Sequence, residues 1–205
     1  MIAPISAHAI APSAVLRGEG AWTEALPRLA ALCQTPLLLG RSSCTAQQRR
    51  QLILDLEEAG LSPLPGQLQF DCCDEDLERL SREASGCDAV IAAGGGKVLD
   101  AGKLLAHRLG LPCITVPLSA ATCAGWTALA NLYSPQGAFR CDVALERCPD
   151  LLVFDHAFVR QAPPRTLASG VADALAKWYE ASVSSASSED GLVQQAVQMA
   201  RGLRD

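Results

Sequence analysis

Residues 87–103 read CDAVIAAGGGKVLDAGK, and the fold turns on how this stretch is interpreted. Ala89, Val90, Ile91, Ala92 and Ala93 form a short unbroken apolar run. Such a run predicts a strand buried on both faces of a parallel sheet. Gly94, Gly95 and Gly96 follow at once, and then Leu99, Lys103 and Leu104 recur at helical spacing. Strand, glycine turn and helix start in that order make a site for an anion. Without a Cβ the backbone can come close to a bound group, and the first N–H groups of a helix have no internal acceptor. A pyrophosphate fits this description. The alternative is a tight turn with no ligand, but then three glycines each lose conformational entropy to no purpose.

Outward from this unit the chain alternates strand and helix signals. Upstream, Pro36–Gly40 (PLLLG) is a second buried-strand run, followed by the polar turn Arg41-Ser42-Ser43. Residues 46–59 read as a helix with Leu52, Leu56 and Ala59 inward and Gly60 as its stop. A Pro/Gly-rich connector leads to an expected strand over residues 68–70, and residues 74–85 form a charged helix that buries Leu77 and Leu80. Nearer the N-terminus, residues 23–33 are amphipathic, with Leu26, Leu29, Ala30 and Cys33 on one face and Thr23 as the cap. Residues 5–16 read as an irregular or extended lead-in.

Downstream, Cys113–Pro117 is another short apolar strand. Residues 128–134 and 138–143 flank the turn signal Ser134-Pro135-Gln136-Gly137, which predicts an antiparallel hairpin. Leu151–Asp155 (LLVFD) returns as a strand. Pro163-Pro164 opens a helix that runs to about Ser182, proline being tolerated in a first turn. Leu167, Val171, Leu175 and Trp178 make its apolar stripe, whereas Asp173, Lys177 and Glu180 share another side. A further helix is expected around residues 192–203. The repeated βα order predicts an α/β, doubly wound parallel sheet with right-handed crossovers and one β-hairpin.

Composition sets the outer limits. The 205 residues are 49% hydrophobic, and 17 basic against 22 acidic side chains leave a formal net charge of −5. No Lys/Arg cluster occurs, so nothing supports nucleic-acid binding. Nine cysteines are present with no CxxC pairing, which suits reduced thiols in a cytoplasmic protein. The start, MIAPISAHAIAPSAV, has no basic residue before Arg17 and makes a poor signal peptide. No apolar stretch reaches membrane-spanning length.

Four segments in order, GGGKVLDAGK, VPLSAATCAGWTALANLYSPQGAF, CPDLLVFD and APPRTLASGVADALAKWYEA, resemble the group III, iron-containing alcohol dehydrogenases, most nearly the glycerol dehydrogenase branch. The resemblance implies a Rossmann-like dinucleotide-binding domain, here residues 1–162. It implies that residues 163–205 begin an all-helical second domain, with the active site in the cleft between the two. It further implies NAD or NADP as cofactor, a divalent metal (zinc or iron) and a small alcohol or polyol as substrate. Gly94, Gly95, Gly96, Lys97 and Val98 match the family's pyrophosphate loop, and Asp100 and Lys103 its continuation. On the residues alone those last two would be a local hydrogen bond and a solvated charge. Ala121, Thr122, Thr127, Leu129 and Tyr133 match positions that line the ribose and nicotinamide; Leu129 and Tyr133 would equally suit a buried hairpin face. Asp173 matches the first metal ligand, and it could instead simply pair with Lys177 one turn on. The family completes that site with two histidines farther along, whereas His8, His107 and His156 all precede Asp173.

Two departures from the family pattern bear on specificity. Where glycerol dehydrogenases place a substrate-binding aspartate, this chain has Cys123, whose thiol cannot accept hydrogen bonds from a polyol as a carboxylate can. It is the substrate-facing residue, a reactive thiol or a small packing residue, and no charged neighbour in the sequence gives reason for heightened reactivity. After the second strand, where family members preferring NAD carry an aspartate, Arg41 stands. A guanidinium favours a 2′-phosphate, hence NADP, unless it is a solvated loop residue. The resemblance covers the nucleotide half and only the first helices of the helical one. The expectation is therefore that the 205 residues alone lack turnover and that the apolar stripe of the 163–182 helix promotes homo-oligomers. Glycerol-1-phosphate dehydrogenase, dehydroquinate synthase and a nucleotide-binding module without chemistry remain alternatives.

Overall fold

The structure, a computed structural model, describes residues 9–205. Six parallel strands form one sheet: β1 (Ala14–Gly18), β2 (Pro36–Gly40), β3 (Leu64–Gln67), β4 (Ala89–Gly94), β5 (Cys113–Pro117) and β8 (Leu151–Asp155). Their spatial order is β1-β8-β5-β4-β2-β3, which places the glycine-ended strand β4 at the centre. The intervening strands β6 (Leu129–Tyr133) and β7 (Phe139–Ala144) pair only with each other, as the expected antiparallel hairpin. Among the described residues are seven α-helices, α1 (Ala21–Leu32), α2 (Ala46–Glu58), α3 (Asp74–Glu83), α4 (Gly96–Leu109), α5 (His156–Arg160), α6 (Pro164–Ser184) and α7 (Gly191–Arg204), and a short 3-10 turn at Ser43–Thr45.

Strand side chains alternate between two apolar layers. Ala89, Ile91 and Ala93 of β4 join Leu38, Ile114 and Val153 beneath α1 and α2, where Trp22, Leu29, Leu52 and Leu56 are buried. Val90 and Ala92 point the other way, toward Leu77 and Leu80 of α3, Leu104 and Leu105 of α4, and Leu132 of the hairpin. Layers on both faces explain why the strands read as continuous apolar runs and not as alternating ones. Each fully buried leucine contributes about 1.5–3 kcal/mol relative to exposure.

Two local expectations need correcting and one becomes more definite. The lead-in over residues 5–16 contains part of a real strand, β1, which adds to the sheet edge beside β8; its alternating half-exposed pattern lacks the apolar run of a central strand. Residues 1–8, with His8, lie outside the described part. The third strand is Leu64–Gln67, inside the Pro/Gly connector and not at residues 68–70. Pro65 is tolerated because β3 is an edge strand with only β2 beside it. Thr23 does not cap α1. The helix begins at Ala21 after Gly20, whose φ of 79° is left-handed, and the Trp22 amide donates to Asp155 Oδ2 at 3.0 Å. Asp155 Oδ1 accepts from Ala157 N at 2.8 Å, so one buried carboxylate from β8 caps α1 and α5 together. The frame shift also leaves Ala30 exposed and puts Ala25 in the core.

Candidate functional site

The three glycines are not equivalent, and the difference separates packing from binding. A Cβ on Gly94 would lie 2.8 Å from Val98 Cβ, so that position is glycine because strand and helix pack too closely for anything else. A Cβ on Gly96 would come within 3.1 Å of Thr122 Oγ1. Gly95 is unlike both. Its φ of −87° suits any residue, and a Cβ there would meet only Ser119 Oγ at an ordinary 3.6 Å. The packing of the protein itself gives no reason for glycine at 95. Gly95 is also the N-cap of α4 and offers no side-chain hydrogen bond to the helix, which leaves the first-turn amides to an external acceptor.

Helix α4 is fixed behind this loop by a buried ion pair. Lys103 Nζ lies 3.0 Å from Asp100 Oδ1, with side-chain exposures of 1% and 9%. The ammonium also donates to Thr127 O at 3.1 Å and to Leu129 O, while Asp100 Oδ2 accepts from Asn131 N at 3.2 Å. Lys103 is therefore no solvated charge; it ties α4 to the hairpin. Burial pushes the Asp100 carboxyl above its ordinary value in spite of the neighbouring ammonium. Val98, expected at the cofactor, is buried in the core against Gly94.

A second charge cluster stands at the ends of β2, β3 and β4. Asp71, 7% exposed, accepts from Arg41 Nη1 through Oδ1 and from Lys97 Nζ through Oδ2. Lys97 also sits 4.7 Å above the Tyr133 ring. Burial pushes the Asp71 carboxyl up, but the Lys97 hydrogen bond and the charges of Arg41 and Lys97 outweigh it and hold the group below the usual carboxylate range. Arg41 is thus a positioned guanidinium, 40% exposed. Asp71 went unnoticed in the sequence because a lone aspartate after a strand carries no periodic or motif signal.

The opposite wall comes from α6. A Cβ on Gly170 would lie 1.8 Å from Ala120 O, so the helix rests directly on the loop after β5. Ala121, expected at the ribose, has its backbone under this contact; the added Cβ would also come within 3.4 Å of its carbonyl carbon. One turn along, Asp173 faces a cleft of about 400 Å3 shared with Gly96, Lys97, Asp100, Thr122 and Cys123. Thr127, Leu129 and Tyr133 of the hairpin region complete its rim. The glycine loop, the hairpin residues, Cys123 and Asp173 are thereby brought together, while Arg41 stays outside, joined through Asp71 and Lys97. Asp173 pairs with Lys177 at 3.1 Å, as the spacing alone allowed. No group of three or more His, Cys, Asp or Glu side chains suited to a metal ion occurs among the described residues. His107 and His156 are exposed on α4 and α5.

Comparison with known proteins agrees with this geometry. Residues 12–156, most of the chain, match the family model described as iron-containing alcohol dehydrogenase. The chain belongs to that family. An uncharacterized oxidoreductase of Synechocystis sp. is 48% identical over 205 residues, covering 98% of this chain and 52% of that protein. A glycerol dehydrogenase of Thermotoga maritima is 43% identical over 112 residues, 54% of this chain and 31% of its own length. The crystal structure of a probable glycerol dehydrogenase from Sinorhizobium meliloti superposes with a TM-score of 0.76 at 29% identity, over 86% of this chain and 48% of that one. The chain thus spans about half the length, or less, of the relatives it matches. The six-stranded parallel sheet is the expected family architecture. No helix among the described residues is long and apolar enough to cross a membrane.

Proposed function

We propose that this chain supplies the nucleotide-binding wall of an NAD(P)-dependent alcohol dehydrogenase, with residues 1–162 as the nucleotide domain and residues 163–205 opening a helical one. The observation that carries this reading is Gly95, a glycine that the protein's own packing does not require, at the N-terminus of α4. The amides of residues 95–97 would hold the pyrophosphate, with the ammonium of Lys97 beside it. Thr122, Thr127, Leu129 and Tyr133, which line one cleft, would orient the ribose and nicotinamide along it. A nicotinamide bound there would supply the hydride acceptor that oxidation of an alcohol to its carbonyl requires. Asp173 lines the same cleft and would be one ligand of a divalent metal. The described residues do not complete such a site.

Arg41 supports acceptance of NADP: Asp71 occupies Nη1 and leaves further donors of a half-exposed guanidinium for a 2′-phosphate. Nine free thiols support a reducing, cytoplasmic setting, and the uncovered apolar residues of α6 support self-association.

Titration of NADH and NADPH by fluorescence tests the reading. Gly95→Ala is expected to keep the circular dichroism spectrum and melting temperature while weakening both nucleotides at least tenfold. Unchanged affinity would remove the pyrophosphate from this loop. Arg41→Asp is expected to weaken NADPH more than NADH; equal effects would leave Arg41 without a role in selectivity.

A further inference from the structure

Beyond Cys123 the cleft continues into a groove of different chemistry. A hollow of about 230 Å3 opens between the ends of β5 and β8, walled by Pro117, Trp126, Leu152 and Phe154 and bordered by Thr122 and Cys123. Another, of about 280 Å3, links Cys123 and Phe154 to Asp173 and Lys177. Thr122 and Cys123 line the main cleft and both hollows. The three spaces therefore meet at the turn over residues 122–126, fixed by Trp126 N donating to Cys123 O at 2.9 Å and Ala124 N donating to Thr122 Oγ1 at 3.3 Å. Trp126 stands at the rim with 42% of its surface exposed, and the Phe154 ring is held edge-on by His156 at 5.9 Å between centroids.

We infer that the alcohol taken by this site carries an apolar tail, a single ring or a short hydrocarbon chain, seated between Trp126 and Phe154, and is not a polyol. This inference rests on the dehydrogenase reading and deepens it. With the hydroxyl beside Thr122 and Asp173, the rest of the molecule points past Cys123. A polyol there would surrender water from each remaining hydroxyl and find a thiol, aliphatic carbons and two aromatic faces in exchange. A hydrocarbon tail loses no hydrogen bonds and removes apolar surface on both sides from water. Cys123 belongs to the same logic: on the side of Pro117, Leu152 and Phe154 a carboxylate would lose water to apolar surface, whereas a thiol needs no polar partner there.

The test uses the 205-residue chain and 4-(trifluoromethyl)benzyl alcohol, followed by fluorine NMR, with NADH binding measured separately by fluorescence. The expected result is probe binding displaced by 1-hexanol but not by a tenfold higher concentration of glycerol. Trp126→Ser and Cys123→Asp are each expected to weaken the probe at least tenfold, and Trp126→Phe to restore it, with NADH affinity unchanged in Trp126→Ser. Absence of probe binding, displacement by equimolar glycerol, or an unaffected Trp126→Ser variant would overturn the inference. So would sedimentation showing that Trp126→Ser turns a dimer into a monomer, since a second copy would then fill the groove. Loss of NADH binding in the unmodified chain would instead strike the dehydrogenase reading, so the two failures are told apart.

Discussion

Helices α4 and α6 face the same cleft from opposite sides and are held by different means. In α4, residues 98–106 are all buried, one ion pair included. In α6, which is half as long again, no residue is buried; Leu167, Val171 and Leu175 are 57%, 52% and 44% exposed. The wall proposed for the cofactor is built into the sheet's core. The wall carrying Asp173 meets the nucleotide half where Gly170 lies against Ala120, and it packs on α7. Rigidity behind the pyrophosphate loop keeps the amides aimed before any ligand arrives. The Asp173 side has no buried residue behind it, so its position relative to Thr122 and Cys123 is the more easily changed.

The largest break in this comparison comes from the α4 side. Lys103→Met leaves Asp100 buried without its partner and is expected to cost about 3–5 kcal/mol in urea unfolding; the double variant with Asp100→Asn recovers part of that loss. A cost under 1 kcal/mol would mean that the ion pair does not hold α4. Next in size is Gly170→Val, which forces α6 off the Ala120 carbonyl. Overpacking of this kind costs about 1–3 kcal/mol, and it is expected to appear as faster hydrogen exchange confined to residues 164–184. Loss of protection over residues 98–106 as well would show that the two walls are one cooperative unit.

The smallest effect concerns Asp71. Its folded pKa lies below the ordinary value, so the stability it adds is present above the unfolded carboxyl pKa and is lost as pH falls through the folded one. With Arg41 and Lys97 both about 40% exposed, Asp71→Asn should cost only about 0.5–1 kcal/mol at pH 7. The gap to the unmodified chain should close below about pH 4. A gap that widened in acid would mean that the two cations do not hold this carboxylate.

Much of this was legible beforehand for a physical reason. Strands buried on both faces must be continuously apolar, which made β2, β4, β5 and β8 readable from a single sequence, and Ser134-Pro135-Gln136-Gly137 announced the hairpin. The edge strands β1 and β3 were not, because a strand with one neighbour tolerates polar residues and even Pro65. In the candidate site, the glycine loop was visible as a motif, but Lys103 read as a solvated charge. Only contact between α4 and a hairpin some 25 residues on shows where its ammonium goes.

By itself, the sequence determined the layered α/β order, the glycine-ended central strand and the family resemblance, since each rests on local spacing of residue types. Tertiary structure alone decided that Gly95 is free of packing constraint while Gly94 is not, that Asp71 joins Arg41 to Lys97, and that Asp173 meets Cys123 across one cleft. Those facts depend on distances between segments far apart in the chain, and chain order places no limit on such distances until the sheet has brought its strand ends to one edge.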